Sequence, residues 1–137
     1  MAFGAPFSNE KKAQCALQTT VGTKQDTSSS LKLAVGSYSG NVSTSGYSAS
    51  GSQTISVGFK PKAVLVVPRS GNFYSSDGSG HVYGGLSVTD HSGTFSGQAT
   101  VEITSSGFQV HTYRSSSVYY SIELNNEGKN YHYIALG

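Results

Sequence analysis

Four histidines, His81, His91, His111 and His132, are the first places to look for metal or acid–base chemistry in this chain of 137 residues. No two of them stand at the close spacing of a zinc motif, and the lone Cys15 cannot complete a site, so no metal centre is expected. Asp90-His91-Ser92 carries the letters of a hydrolytic triad. Neighbours on a turn do not converge as nucleophile, base and orienting group must, and no G-x-S-x-G elbow is present. Gly78-Ser79-Gly80 begins a dinucleotide fingerprint that fails at Tyr83, where the last glycine belongs, and no helix follows. Asp77 and Ser79 could contribute to a calcium site, but one carboxylate falls short of the 6 to 8 oxygens that the ion takes. Seven acidic residues are scattered along the chain. Glu102 with Glu123 is a pair that could meet in space as glycosidase carboxylates do, and solvated strand faces account for both. The chain is therefore expected to be no enzyme and to bind no cofactor.

Composition narrows the partners. Charged residues make up 12% of the chain against roughly 25% in an average soluble domain. Ser and Gly dominate, and nine Tyr are present. A surface of hydroxyls and backbone has little charge repulsion and suits packing against copies or partners, although a β-protein working alone can share it. The net charge of +2 is spread out, with no basic run longer than Lys11-Lys12, so nucleic acid is not an expected partner. One cysteine excludes an internal disulfide. Residues 1–20 lack the apolar core of a signal peptide, and no 18 apolar residues follow one another. Synthesis in a cytoplasm without membrane insertion is the expectation.

The elements that must position any site begin with Phe59 to Arg69, where Ala63 to Val67 run apolar between Pro61 and Pro68. That run is too short for a buried helix and rich in β-branched residues, so it reads as a central strand covered on both faces. Tyr131 to Leu136 has the same property, with Tyr131, Tyr133 and Ala135 on one face and His132, Ile134 and Leu136 on the other. Further strands are expected near 32–38, 53–59, 82–89, 98–104, 107–114 and 118–124, the last with Tyr119, Ser121 and Glu123 outside. Ala99 to Arg114 reads as a hairpin turning at Ser105-Ser106-Gly107. The fold class is all-β, an antiparallel β-sandwich of jelly-roll-like type over residues 31–137. Residues 1–30 form an extended arm, with a short helix over Asn9 to Thr20 capped by Ser8. Ordering thirty residues costs on the order of 30 to 60 kcal/mol, and the arm's few large apolar side chains include Phe3, Phe7 and Leu17. Those three are expected to anchor it in another protein.

Val35-Gly36-Ser37-Tyr38-Ser39-Gly40-Asn41, Gln53 to Val64 with its Gly58-Phe59-Lys60-Pro61 core, and the ending Tyr131-His132-Tyr133-Ile134-Ala135-Leu136-Gly137 resemble a β-rich domain of tailed-bacteriophage virion proteins. The resemblance covers about residues 35–137. It implies a virion structural protein of the tail-fibre or head-fibre type, often trimeric, displayed on the virion surface for host attachment. The near absence of a shaft before the β-domain points to a short fibre, a knob or a capsid decoration protein joined to other virion proteins by its arm. Tyr38, Tyr47, Phe73, Tyr74 and Tyr83 are the candidate stacking residues for a host cell-surface glycan. Phe73 is also placed to fold back on the domain. Tyr131 and Tyr133, on an uncharged last strand, are expected at the contact of a homotrimer.

Overall fold

The computed structural model describes residues 30–137 and contains eleven strands and no helix among them. The arm's expected helix and its anchors Phe3, Phe7 and Leu17 lie outside the described residues. The strands are β1 (Leu33–Ser39), β2 (Ala49–Ser56), β3 (Ala63–Pro68), β4 (Tyr74–Ser76), β5 (Gly80–Val82), β6 (Gly85–Val88), β7 (Gly93–Phe95), β8 (Gln98–Ile103), β9 (Gly107–Arg114), β10 (Tyr120–Glu123) and β11 (Asn130–Leu136).

The apolar run becomes β3 and the closing segment β11, paired antiparallel with Ile134 opposite Leu65. With β1 and β6 they form a four-stranded sheet in the order β1-β11-β3-β6. The second sheet is built on β9. Along one side β9 pairs with β2 over its whole length, from Ala49 opposite Arg114 to Ser56 opposite Gly107. The other side is shared: β8 pairs at Phe108 to Val110 and β10 at Thr112 to Arg114. The sheet forks there, because one strand holds two partners end to end.

All pairs are antiparallel except one. β10 runs parallel to β5, with Ile122 opposite Val82, so the second sheet is mixed and the expectation of a purely antiparallel sandwich is corrected. The physical reason is the crossover: between β5 and β10 the chain visits β6 on the first sheet and β7 to β9 on the second, then returns in its original direction.

Inner faces from both sheets meet in one core. Val64, Val66, Tyr131 and Ala135 from the first sheet pack with Val101, Phe108 and Val110 from the second, and Ile122 and Leu124 close it. Fully burying each large apolar side chain contributes about 1.5 to 3 kcal/mol. Aromatic rings tie the sheets together, with Phe108 edge-on to Tyr133 at 5.0 Å and to Tyr38 at 6.4 Å. Within the first sheet Tyr131 stacks on Tyr38 at 5.0 Å. Tyr133 lies opposite Gly36 in the ladder, and a Cβ at Gly36 would come 2.6 Å from its hydroxyl. Glycine there leaves room for the ring to lie across the neighbouring strand.

These contacts correct two expectations. Tyr38 is not a surface residue; it is buried and donates its hydroxyl hydrogen to the Leu124 carbonyl at 2.6 Å. Tyr131 and Tyr133 turn inward instead of facing another subunit, and Tyr131 donates to the Glu123 carbonyl at 2.6 Å. Burial pushes the Tyr131 hydroxyl up to about 12, with the Asn126 backbone bond opposing and the Glu123 charge adding to it. A two-residue period separates the two faces of a strand without saying which meets the core.

Candidate functional site

Arg114 ends β9, Tyr120 begins β10, and His81 sits in the middle of β5, so the forked sheet brings a side chain from more than thirty residues earlier beside two from neighbouring strands. They line a cleft of about 630 Å³ with Thr44 to Tyr47 on one wall and Ser115 to Tyr119 on the other. Tyr47 and Tyr119 are 90% and 85% exposed, unlike any core aromatic, and both border the opening. Arg114 fixes the first wall by donating from Nη1 to the Thr44 carbonyl at 3.3 Å.

Bonded to the cleft residues Arg114 and Ser121 is Glu123, which itself lines a second hollow with Asn126. Its Oε1 accepts from Arg114 Nη2 at 3.0 Å and from Ser121 Oγ at 2.6 Å, and its Oε2 accepts from Asn126 Nδ2 at 2.8 Å. Burial raises the carboxyl's pKa, but the Ser121, Arg114 and Asn126 donors outweigh it and hold Glu123 below the usual carboxylate range. Asn126 in turn accepts from Thr112 Oγ1 at 2.7 Å. Its neighbour Asn125 is fully buried and exchanges bonds with Asn41, donating from Nδ2 at 2.8 Å and accepting at Oδ1 at 3.1 Å. Asn125 to Gly128 does turn the chain into β11, yet its first two residues are an internal polar clamp, not solvent-facing turn residues.

Above Glu123, Ser121 Oγ lies 2.7 Å from His81 Nδ1, and His81 Nε2 lies 3.0 Å from Asp77 Oδ1. Serine, histidine and aspartate thus meet in space, through residues other than Asp90, His91 and Ser92, which form a turn with Asp90 at φ 67°. The arrangement is poorly suited to nucleophilic attack. Nε2 faces a carboxylate and therefore carries a hydrogen; in a neutral ring Nδ1 then accepts from Ser121, and in a protonated ring it donates while Ser121 turns to Glu123. Cover, not bonding, is what argues against attack, because Ser121 is buried. The group holds His81 rigid and presents the exposed Asp77 carboxylate at the rim. The His81 bond, the Ser79 amide and the charge of His81 lower the Asp77 pKa.

Glu102, weighed as a partner for Glu123, is bonded to His111 Nε2 at 2.7 Å. The two carboxylates are claimed by different basic groups. Among the described residues, no three of His, Cys, Asp and Glu gather as metal ligands do.

The expected aromatic contacts do not converge. Tyr47 is at the cleft. Phe73 is partly exposed and leans on Gly84, where a Cβ would come 2.7 Å from its ring. Tyr74 is exposed in β4 with its ring centroid 6.3 Å from Phe95. Tyr83 shares a hydrogen bond of 2.9 Å with Ser75 and lines the second hollow, of about 460 Å³, beside Arg69 and Lys129. Sequence reasoning missed Tyr119, Tyr120 and Ser121 as cleft residues and Glu123 as the group that ties Ser121 to Arg114. It did place Tyr119 on the outer face of its expected strand, and three serines, Ser115 to Ser117, mark a loop before it.

No protein-family model, no curated protein and no solved structure matches this chain.

Proposed function

We propose that this chain is a structural protein of a tailed-bacteriophage particle, a short fibre, knob or decoration protein held by residues 1–30 and displaying its β-domain for attachment. In this reading the domain is a jelly-roll-like sandwich, the assembly is a homotrimer on the virion surface, and the Tyr47–Tyr119 cleft takes a host-surface saccharide. The resemblance of residues 35–137 to phage virion domains supports the structural role. The first sheet's order, with the first and last strands side by side, is compatible with Greek-key winding.

The observation that carries the saccharide reading is the pair of nearly fully exposed tyrosines in a cleft with the polar residues His81, Arg114 and Ser121, the last two bonded to Glu123. Pyranose rings offer apolar C–H faces that stack on aromatics and hydroxyls that bond to carboxylates, imidazoles and serines. His81, Ser79 and Ser115 supply the imidazole and hydroxyls in the cleft, and the carboxylate nearest to them is Asp77, bonded to His81.

A glycan array read together with product analysis tests this. Binding that Tyr47→Ala and Tyr119→Ala each weaken at least tenfold, without cleavage, is expected. Undiminished binding in the double variant removes the cleft from the proposal, and released sugar makes the protein a hydrolase. Labelling of the protein on intact particles tests the structural role, which fails if particles carry none.

A further inference from the structure

Two rows of side chains cross the outer face of the first sheet. In one, Val35, Ile134, Leu65 and Leu86 stand opposite each other across β1, β11, β3 and β6; in the next, Leu33, Leu136, Ala63 and Val88 do the same. None is charged or polar. Six of the eight are between 41% and 68% exposed. A solvated strand alternates apolar with polar residues, and these four strands instead carry aliphatic groups on both sides. Contiguous apolar surface on this scale marks an interaction site.

We infer that this face is an interface between copies of the chain. Two rows on four strands about 4.8 Å apart, each row taking two residues at about 3.4 Å, give an apolar centre of roughly 260 Å² in plan, which a polar rim extends toward the about 800 Å² per partner of a stable interface. Charge fits as well. A two-fold contact, unlike the heterologous contact of a trimer, sets this face against itself, so a central charge would repel its own copy, and the eight positions hold none. At the Ala63–Val88 end the rim carries both signs, Lys62 and Asp90, so adjoining copies can offset each other's charge. A strongly acidic or basic partner finds no counter-charge across the rows. Side chains from two such faces interdigitate at about 10 Å, as stacked sheets do within a domain.

The inference rests only on the homomeric part of the proposed function and moves the contact from Tyr131 and Tyr133 to the opposite face. Light scattering on the full chain across micromolar concentrations tests it, with circular dichroism reporting the fold. Wild type is expected to associate, and Val35→Lys with Leu86→Lys is expected to raise the concentration for association at least tenfold. Tyr119→Lys, on the other sheet, leaves the mass unchanged. If the lysine pair does not fold, Val35→Thr with Leu86→Gln gives the same reading at a smaller shift. Persistent association in folded variants overturns this interface while homomeric assembly stands. A wild type that stays monomeric throughout overturns both.

Discussion

The two sheets share one core but turn opposite chemistry outward. Over the second sheet the outer positions are Ser50, Ser52 and Thr54 on β2, Gln109 and His111 on β9 and Glu102 on β8, joined by bonds such as Gln109 Nε2 to Ser52 Oγ at 2.9 Å. Over the first they are Leu33, Val35, Leu65, Leu86, Ile134 and Leu136, with Ser37 and His132 opposite each other in the next row. One chain thus contains both a solvated β-surface and a surface patterned like an interior. The polar sheet supplies the standard by which the apolar one is unusual: the same sequence, rich in Ser and Thr, makes an aqueous face wherever it needs one. Surface tyrosine follows the same division. Tyr47 and Tyr119 border a cleft on the forked sheet, whereas Tyr38, Tyr131 and Tyr133 of the first sheet all point inward.

If the sheets differ only outside, inner-face truncations should be severe in either. Phe108 is fully buried between Tyr38 and Tyr133, and Phe108→Ala should cost about 3 to 5 kcal/mol in denaturant unfolding. A loss below about 1 kcal/mol would mean that the two sheets do not share this core.

The second sheet also gathers a polar cluster inside, Thr112, Ser121 and Asn126 around Glu123, where the first buries Ser87. Glu123→Gln should cost about 1.5 to 3 kcal/mol near neutral pH, because charge-assisted bonds from Arg114, Ser121 and Asn126 weaken together. The pH dependence has a definite sign. Folding lowers the Glu123 pKa, so its contribution is complete above the unfolded carboxylate range and is lost as pH falls through the folded value. Wild type and variant should therefore converge in stability on acidification. A constant gap from neutral to strongly acid pH would remove the ionised carboxylate from the account.

How far this was legible in the sequence varies with the kind of information. The Ala63–Val67 run and the Tyr131–Leu136 ending announced two neighbouring strands with apolar residues on both faces, and the sheet pairs them. Period alone could not choose the inward face of β11, so the tyrosines were assigned outward. β4, β5 and β7 are three residues each, too short for alternation to register, and the expected 82–89 strand breaks at Tyr83 and Gly84 between β5 and β6. Asp77, His81, Ser121 and Glu123 meet only because β5 and β10 run side by side, a pairing across some forty residues that no local spacing encodes. Asn125 and Asn126 had turn composition, and nothing local indicates that a turn will be buried.

A smaller effect sharpens the comparison at β3, whose two faces sit in different surroundings. Val64 and Val66 are fully buried, but Leu65 and Val67 are only partly covered. On sequence grounds, burial on both faces would make Leu65→Ala cost about 2 to 5 kcal/mol. With the outer face only half covered, about 1 kcal/mol is expected in dilute, monomeric protein. The cost should grow with concentration if copies cover Leu65. A concentration-independent loss above about 3 kcal/mol would make the outer face as buried as the inner one.

The smallest expected change is the most direct comparison of the two exteriors, an exchange of valine and threonine, which have similar shape and β-branching and differ in one hydroxyl. Thr54 lies on the polar outer face of β2, exposed and opposite Gln109; Val35 lies on the apolar outer face of β1, opposite Ile134. Both remain strand formers after exchange, so Thr54→Val and Val35→Thr should each alter the unfolding free energy of the dilute chain by less than about 0.5 kcal/mol. Association should separate them. A methyl group that becomes buried between copies is worth about 0.8 kcal/mol, and 1.4 kcal/mol is tenfold in an equilibrium constant. Val35→Thr should thus weaken association severalfold, because every copy must bury the new hydroxyl, while Thr54→Val leaves it unchanged. Equal effects on association would show that assembly does not distinguish the two faces, and the contrast between them would then be one of composition alone.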